Sequence, residues 1–200
     1  MQPPTFSFRR RLTALFAAAA FVATTVAAGP VVDGVGNFQK VNDHIYRGAQ
    51  PTGDGFANLK KLGIETVIDL REPGDRSALE QKVVTAAGMH YVSVPMYGMS
   101  RPSNESVQKV LGMLEDTSTG PVFVHCRRGA DRTGAVIACY RVEHDRWKNQ
   151  QALEEAKSMG MSWLGKAIQS YVLKYQPRDL EALATKSLSA GAAVVAPVQP

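Results

Sequence analysis

A chain of 200 residues with 44% hydrophobic content is long enough for one domain with a sizeable core. Its net charge of +5 overstates its basicity, because Arg9, Arg10 and Arg11 lie in an N-terminal segment with the features of an export signal. Without them 20 of the 23 basic residues remain against 18 acidic ones, a net charge of +2, and the composition gives no ground for a nucleic-acid partner.

The three arginines precede an apolar, uncharged run over residues 12–28, a positive n-region and an h-region. Val26, Ala27 and Ala28 offer small residues for cleavage before Gly29. Residues 1–28 are therefore read as a signal peptide and the mature protein as periplasmic or secreted, with no stable membrane span. A retained inner-membrane anchor is the alternative, although the run is alanine-rich and short for a span. Residues 29–36 read as a glycine-rich linker, 37–188 as the folded domain, and 189–200 as a small-residue, proline-rich disordered tail.

Within the domain, 37–41 and 45–47 read as short strands around Asn42, Asp43 and His44. A helix is expected over 53–62, with Phe56, Leu59 and Leu62 on one face and Gly63 as its stop. The apolar, β-branched run 65–70 predicts a buried strand, 75–87 a helix ended by Gly88, and 89–94 another strand. After a loop over 96–102, Ser103 is placed to cap a helix carrying Val107, Val110, Leu111 and Leu114 on one face. Residues 122–125 predict a strand and 133–144 a central helix. Further helices are expected at 149–159, with Ala152, Leu153, Ala156 and Met159 inward, at 163–175 and at 178–188. Alternating strands and helices give an α/β fold, a central and mostly parallel sheet flanked by helices.

The chemistry concentrates in His125-Cys126-Arg127-Arg128-Gly129-Ala130-Asp131-Arg132-Thr133. A strand, a tight loop and a helix N-terminus make an anion cradle from backbone N–H groups and the helix dipole. Residues 127–132 supply that cradle, and Arg132 adds a fork that fits two phosphate oxygens. The same positive field lowers the pKa of Cys126, so a thiolate lies beneath the bound anion. Nucleophile and clamp together imply phosphoryl transfer through a cysteinyl-phosphate. The other cysteine, Cys139, falls too far along the following helix for a bridge and reads as a small core residue. Neither cysteine is placed for a metal site, and no cofactor is implied.

This stretch resembles the His-Cys-x5-Arg-Ser/Thr signature of the protein tyrosine phosphatase superfamily. Residues 45–51, Ile-Tyr-Arg-Gly-Ala-Gln-Pro, resemble the entry segment of the small dual-specificity phosphatases of plants, fungi and bacteria. Residues 63–71 are similar to their Gly-x-x-x-Val-Ile-x-Leu-Arg strand, and Trp147-Lys148 with 152–155 to a helix of exported bacterial members. The resemblance implies a cysteine-based phosphatase fold and metal-independent phosphomonoester hydrolysis. It implies Cys126 as nucleophile, Arg132 as phosphate clamp, Thr133 as the hydroxyl that eases thiolate departure, and His125 as a residue orienting the loop. Packing alone is the plainer role for His125. Arg127 and Arg128 point to an anionic substrate face, or are simply solvated.

The resemblance also implies an aspartate in the loop after the strand at 89–94, to protonate the leaving oxygen. Residues 96–102 contain no carboxylate. Asp131 ranks first as a substitute, ahead of Asp69 and Glu105; its alternative role is to brace Arg127 or Arg128. The expected function is a protein tyrosine/dual-specificity phosphatase acting on phosphorylated protein. Phosphatases of inositol polyphosphates or other small polyanions, and a phosphoprotein-binding module with vestigial catalysis, are the rival readings.

Overall fold

The computed structural model describes residues 31–178. The expected signal peptide, the helix expected beyond 178 and the expected tail lie outside these residues. Five strands form one sheet in the order β1-β2-β5-β3-β4. They are β1 (Gln39–Lys40), β2 (Ile45–Ala49), β3 (Thr66–Asp69), β4 (His90–Ser93) and β5 (Val122–Cys126). β1 runs antiparallel to β2 at one edge, and all other neighbours are parallel, as the alternating pattern predicts.

Period-two alternation divides the core between the two faces. Ile45, Ile68, Val122 and Val124 face one cluster, built with α3 (Asn104–Glu115), α4 (Asp131–Glu143), α5 (Asn149–Ser158) and α6 (Lys166–Leu173). Tyr46, Val67 and Phe123 face the other, with α1 (Gly55–Lys61) and α2 (Asp75–Ala86). α4 is buried along nearly its whole length, which fits its small and apolar sequence. Ser103 caps α3 by accepting from the Ser106 amide at 3.0 Å, and Val107, Val110, Leu111 and Leu114 are all buried.

Three expectations need correction. The stretch read as a linker does not behave as one over its described part: Val32 and Val35 are buried in the second cluster, with a turn at Gly34 (φ +79°) between them. Leu62 does not share the buried face of α1; it is 39% exposed, since the helix has ended one residue earlier. The helix expected from 163 begins at Lys166, leaving Trp163 and Leu164 exposed in the preceding turn. Among the described residues no helix is long and apolar enough to cross a membrane.

Candidate active site

β5 is central in the sheet, and its last residue is Cys126. The chain then turns through 127–130 into the N-terminus of α4. The loop's carbonyls are taken up from outside. Gln50 N–H donates to the Arg127 carbonyl at 3.4 Å, and Arg47 Nη2 to that of Gly129 at 2.7 Å. Asn37 Nδ2 reaches the carbonyls of Arg128, Gly129 and Met159 at 3.3, 3.1 and 2.9 Å. With carbonyls engaged on the outer side, amides are left for the inner side, the arrangement of an anion nest.

Gly129 makes this turn possible. Its φ is +68°, and a Cβ there would lie 2.3 Å from the backbone carbon of Gly48. The loop therefore presses directly on the backbone of β2. Arg47 is fully buried beneath it, and burial pushes its pKa down to about 10 against the charges of Glu155 and Cys126. Asn37 adopts a left-handed φ of 51° to aim its amide at the loop. Arg47 belongs to the entry segment at 45–51, but nothing in that segment says what it binds; for Asn37 the local signal is an asparagine before a short edge strand.

Cys126 is 2% exposed, and burial opposes its ionisation. The Thr133 hydroxyl and amide, the charge of Arg132 and the Arg128 amide outweigh that cost, so the thiol falls below its ordinary value. Thr133 Oγ1 is buried beside the cysteine and has no hydrogen-bond partner of its own within the protein. Arg132 is held by the Met96 carbonyl, 3.1 Å from its Nη1. Arg127 and Arg128 are exposed at the rim, and Ala130 is buried at the start of α4. Cys139 is fully buried in α4, where burial and the charge of Glu143 push its thiol up.

His125 is fully buried, its ring stacked on Phe123 with centroids 5.6 Å apart. Its Nε2 lies 2.8 Å from Glu80 Oε1, in ion-pair range but out of line for a good hydrogen bond. Behind it stands a buried polar network. Arg71 donates to Asp69 from Nε and Nη2 at 2.8 and 2.6 Å, and to Glu80 at 2.8 Å. The Tyr91 hydroxyl donates to Asp69 at 2.8 Å. Asp69, Glu80 and His125 bring three ligand-type atoms within 4.8 Å of one another, and the guanidinium of Arg71 bridges the two carboxylates. Burial opposes the ionisation of Asp69, but hydrogen bonds from Arg71 and the charge of His125 prevail and lower its pKa. Glu80 carries no sequence signal, because it occupies a core-facing helical position where an apolar residue is expected.

Asp131, ranked first as proton donor, has both carboxylate oxygens engaged. Its Oδ2 accepts from Arg128 Nη2 at 2.5 Å and its Oδ1 from the Ser162 amide at 2.7 Å. Both oxygens are spent on bracing the loop against the turn after α5. Asp69 is committed to Arg71 and Tyr91 below the sheet end. Glu105 is exposed in the first turn of α3. The carboxylate facing the loop is instead Glu72, whose Oε1 is 3.9 Å from Arg132 Nη1.

A cysteine of lowered pKa at the end of a central parallel strand, followed by a tight loop into a helix with an arginine six residues on, defines a cysteine-based phosphatase. Comparison with known proteins agrees. A family model described as "DSP-PTPase phosphatase fused to NAD+ Kinase" matches residues 25–171. The chain belongs to this dual-specificity branch of the protein tyrosine phosphatases.

Over 125 residues it is 34% identical to the dual specificity protein phosphatase TpbA of Pseudomonas aeruginosa, covering 62% of this chain and 55% of that one. The chain thus spans little more than half the length of that relative. It is 31% identical over 141 residues to the inositol diphosphatase DSP3 of Arabidopsis thaliana, covering 68% of each. The crystal structure of a cysteine-to-serine TpbA in complex with pTyr matches with a TM-score of 0.63 and 26% identity, over 74% of this chain and 90% of that one.

Proposed function

We propose that the protein hydrolyses phosphomonoesters of tyrosine and of serine or threonine on proteins, through a cysteinyl-phosphate on Cys126. The observation that carries this reading is the lowered pKa of a buried cysteine beneath an anion nest. A thiol merely packed in the core has its pKa raised, as Cys139 does. In this reading the amides of 127–132 and the fork of Arg132 hold the phosphoryl oxygens. Cys126 attacks phosphorus, and the Thr133 hydroxyl stabilises the thiolate when it departs. His125 positions the strand end through Phe123 and Glu80. The phosphotyrosine seen in the TpbA crystal structure supports an aryl phosphate as substrate.

A second reading, hydrolysis of inositol polyphosphates, draws support from the similarity to inositol diphosphatases and from the exposed cations Arg127 and Arg128. Phosphate release from a phosphotyrosine peptide, a phosphoserine peptide and inositol hexakisphosphate separates the two. The first reading expects the peptides to be turned over faster; exclusive turnover of the inositol phosphate would replace it by the second. Residues 1–28 act, in the same proposal, as a cleaved export signal that delivers the enzyme to the periplasm.

A further inference from the structure

We propose that Glu72 is the general acid of this phosphatase, supplied from the β3–α2 loop. The inference rests on the phosphatase reading above and assigns a role that the loop at 96–102 leaves empty.

Glu72 follows Arg71 in the segment that leaves β3 at its carboxyl end, the end at which β5 delivers Cys126. Its side chain is 49% exposed, and it lines a cleft together with Gln50, Arg127 and Arg132. The phosphate clamp and this carboxylate therefore line one and the same cleft. Oε1 is 3.9 Å from Arg132 Nη1 and accepts from the Gly98 amide at 2.8 Å. The second contact joins the two surface loops: the segment that lacks a carboxylate of its own is docked onto Glu72. The Met96 carbonyl receives Arg132 from the same segment, so clamp, docked loop and carboxylate form one assembly.

The competing carboxylates are placed differently. Asp131 has both oxygens engaged, and Asp69 is fully buried under Arg71. Asp75 lines the same cleft from the first turn of α2 and is compared directly in the test below. Glu72 is the carboxylate within 4 Å of Arg132 and open to the cleft.

The chemistry balances with Glu72 as the sole proton carrier. In the first step Cys126 Sγ bonds to phosphorus and the bond from phosphorus to the leaving oxygen breaks. Its electron pair goes to that oxygen, which takes the proton from Glu72. In the second step a water oxygen bonds to phosphorus while the Glu72 carboxylate takes the water's proton. The S–P electron pair returns to Cys126 as thiolate. Alcohol and inorganic phosphate leave, and the enzyme is restored.

The test compares E72Q, D75N and D131N with the wild-type protein on 2,4-dinitrophenyl phosphate and phenyl phosphate, reading kcat/KM, which reports the phosphorylation step alone. Glutamine keeps an oxygen acceptor for the Gly98 amide, so the loop stays docked; an unchanged melting temperature checks this. A dinitrophenolate leaves without a proton and a phenolate does not. E72Q is expected to lose about 10²-fold or more on phenyl phosphate and only a few-fold on the activated ester, the range of general acid catalysis. Its rate on phenyl phosphate should also lose the fall at high pH that marks deprotonation of an acid. Equal losses on both esters, no loss on either, or the leaving-group-dependent loss in D131N or D75N instead would overturn the assignment. A wild-type protein that cleaves neither ester would sink the phosphatase reading itself, and Glu72 with it.

Discussion

Replacing Arg71 by methionine removes the one guanidinium that serves two buried carboxylates. Asp69 is 0% exposed and Glu80 4%, and between them they accept three side-chain hydrogen bonds from Arg71 at 2.6–2.8 Å. Breaking a buried pair from one side costs about 3–5 kcal/mol, because the remaining charge has neither water nor partner. For a domain of this size that corresponds to roughly 6–20 °C in melting temperature, at about 2–4 °C per kcal/mol. The groups that face the stranded carboxylates are Tyr91 on β4 and His125 on β5.

The pH dependence has a definite sign. In the wild-type protein the pKa of Asp69 is lowered, so its contribution is complete above the unfolded value of about 3.9 and is lost as pH falls through the lower folded value. In the variant Asp69 keeps its burial but loses the hydrogen bonds and charge of Arg71, so its value is raised and stability returns as pH falls from neutral toward about 4. Thermal unfolding followed by circular dichroism should therefore show the gap between the proteins widest near neutral pH and narrowing in acid. A gap below about 1 kcal/mol at neutral pH, or one that does not narrow, would refute the reasoning.

Two further outcomes are expected. Gly129→Ala places a methyl group 2.3 Å from the Gly48 backbone at a φ of +68°, so the loop must lift off β2; destabilisation by about 2–5 kcal/mol and loss of turnover should follow, measured by urea titration and an aryl phosphate assay. Fractionation of expressing cells should recover the protein in the periplasm with Gly29 at its N-terminus, whereas an uncleaved product in washed membranes would favour an anchor.

The sequence makes the cysteine loop legible because its chemistry is local: nine consecutive residues carry nucleophile, cradle and clamp. The parallel sheet is legible for a similar reason, since 65–70 and 122–125 are short β-branched runs bounded by turns. What supports the loop is not local. Asn37 and Arg47 bind its carbonyls across 82–92 residues of sequence, and Glu80 reaches His125 on β5 from α2. A buried glutamate or arginine is indistinguishable from a solvated one until its partner is known. The same limit explains Asp131: its position in the loop fits an acid, and only the distant Ser162 amide reveals that its second oxygen is occupied. Glu72 lies inside no motif, and only the docking of Gly98 places it at the cleft.

The central claim is that Cys126 carries the phosphoryl group during turnover. Rapid acid quenching of the protein with a phosphotyrosine peptide, followed by peptide mass spectrometry, tests it most directly. A phosphoryl group should be found on the peptide containing Cys126, formed before product phosphate appears, and absent from Cys126→Ser, which should still bind phosphate because the amides and Arg132 remain. Turnover that continues in Cys126→Ser, or with no phosphorylated Cys126 at any quench time, would contradict the account.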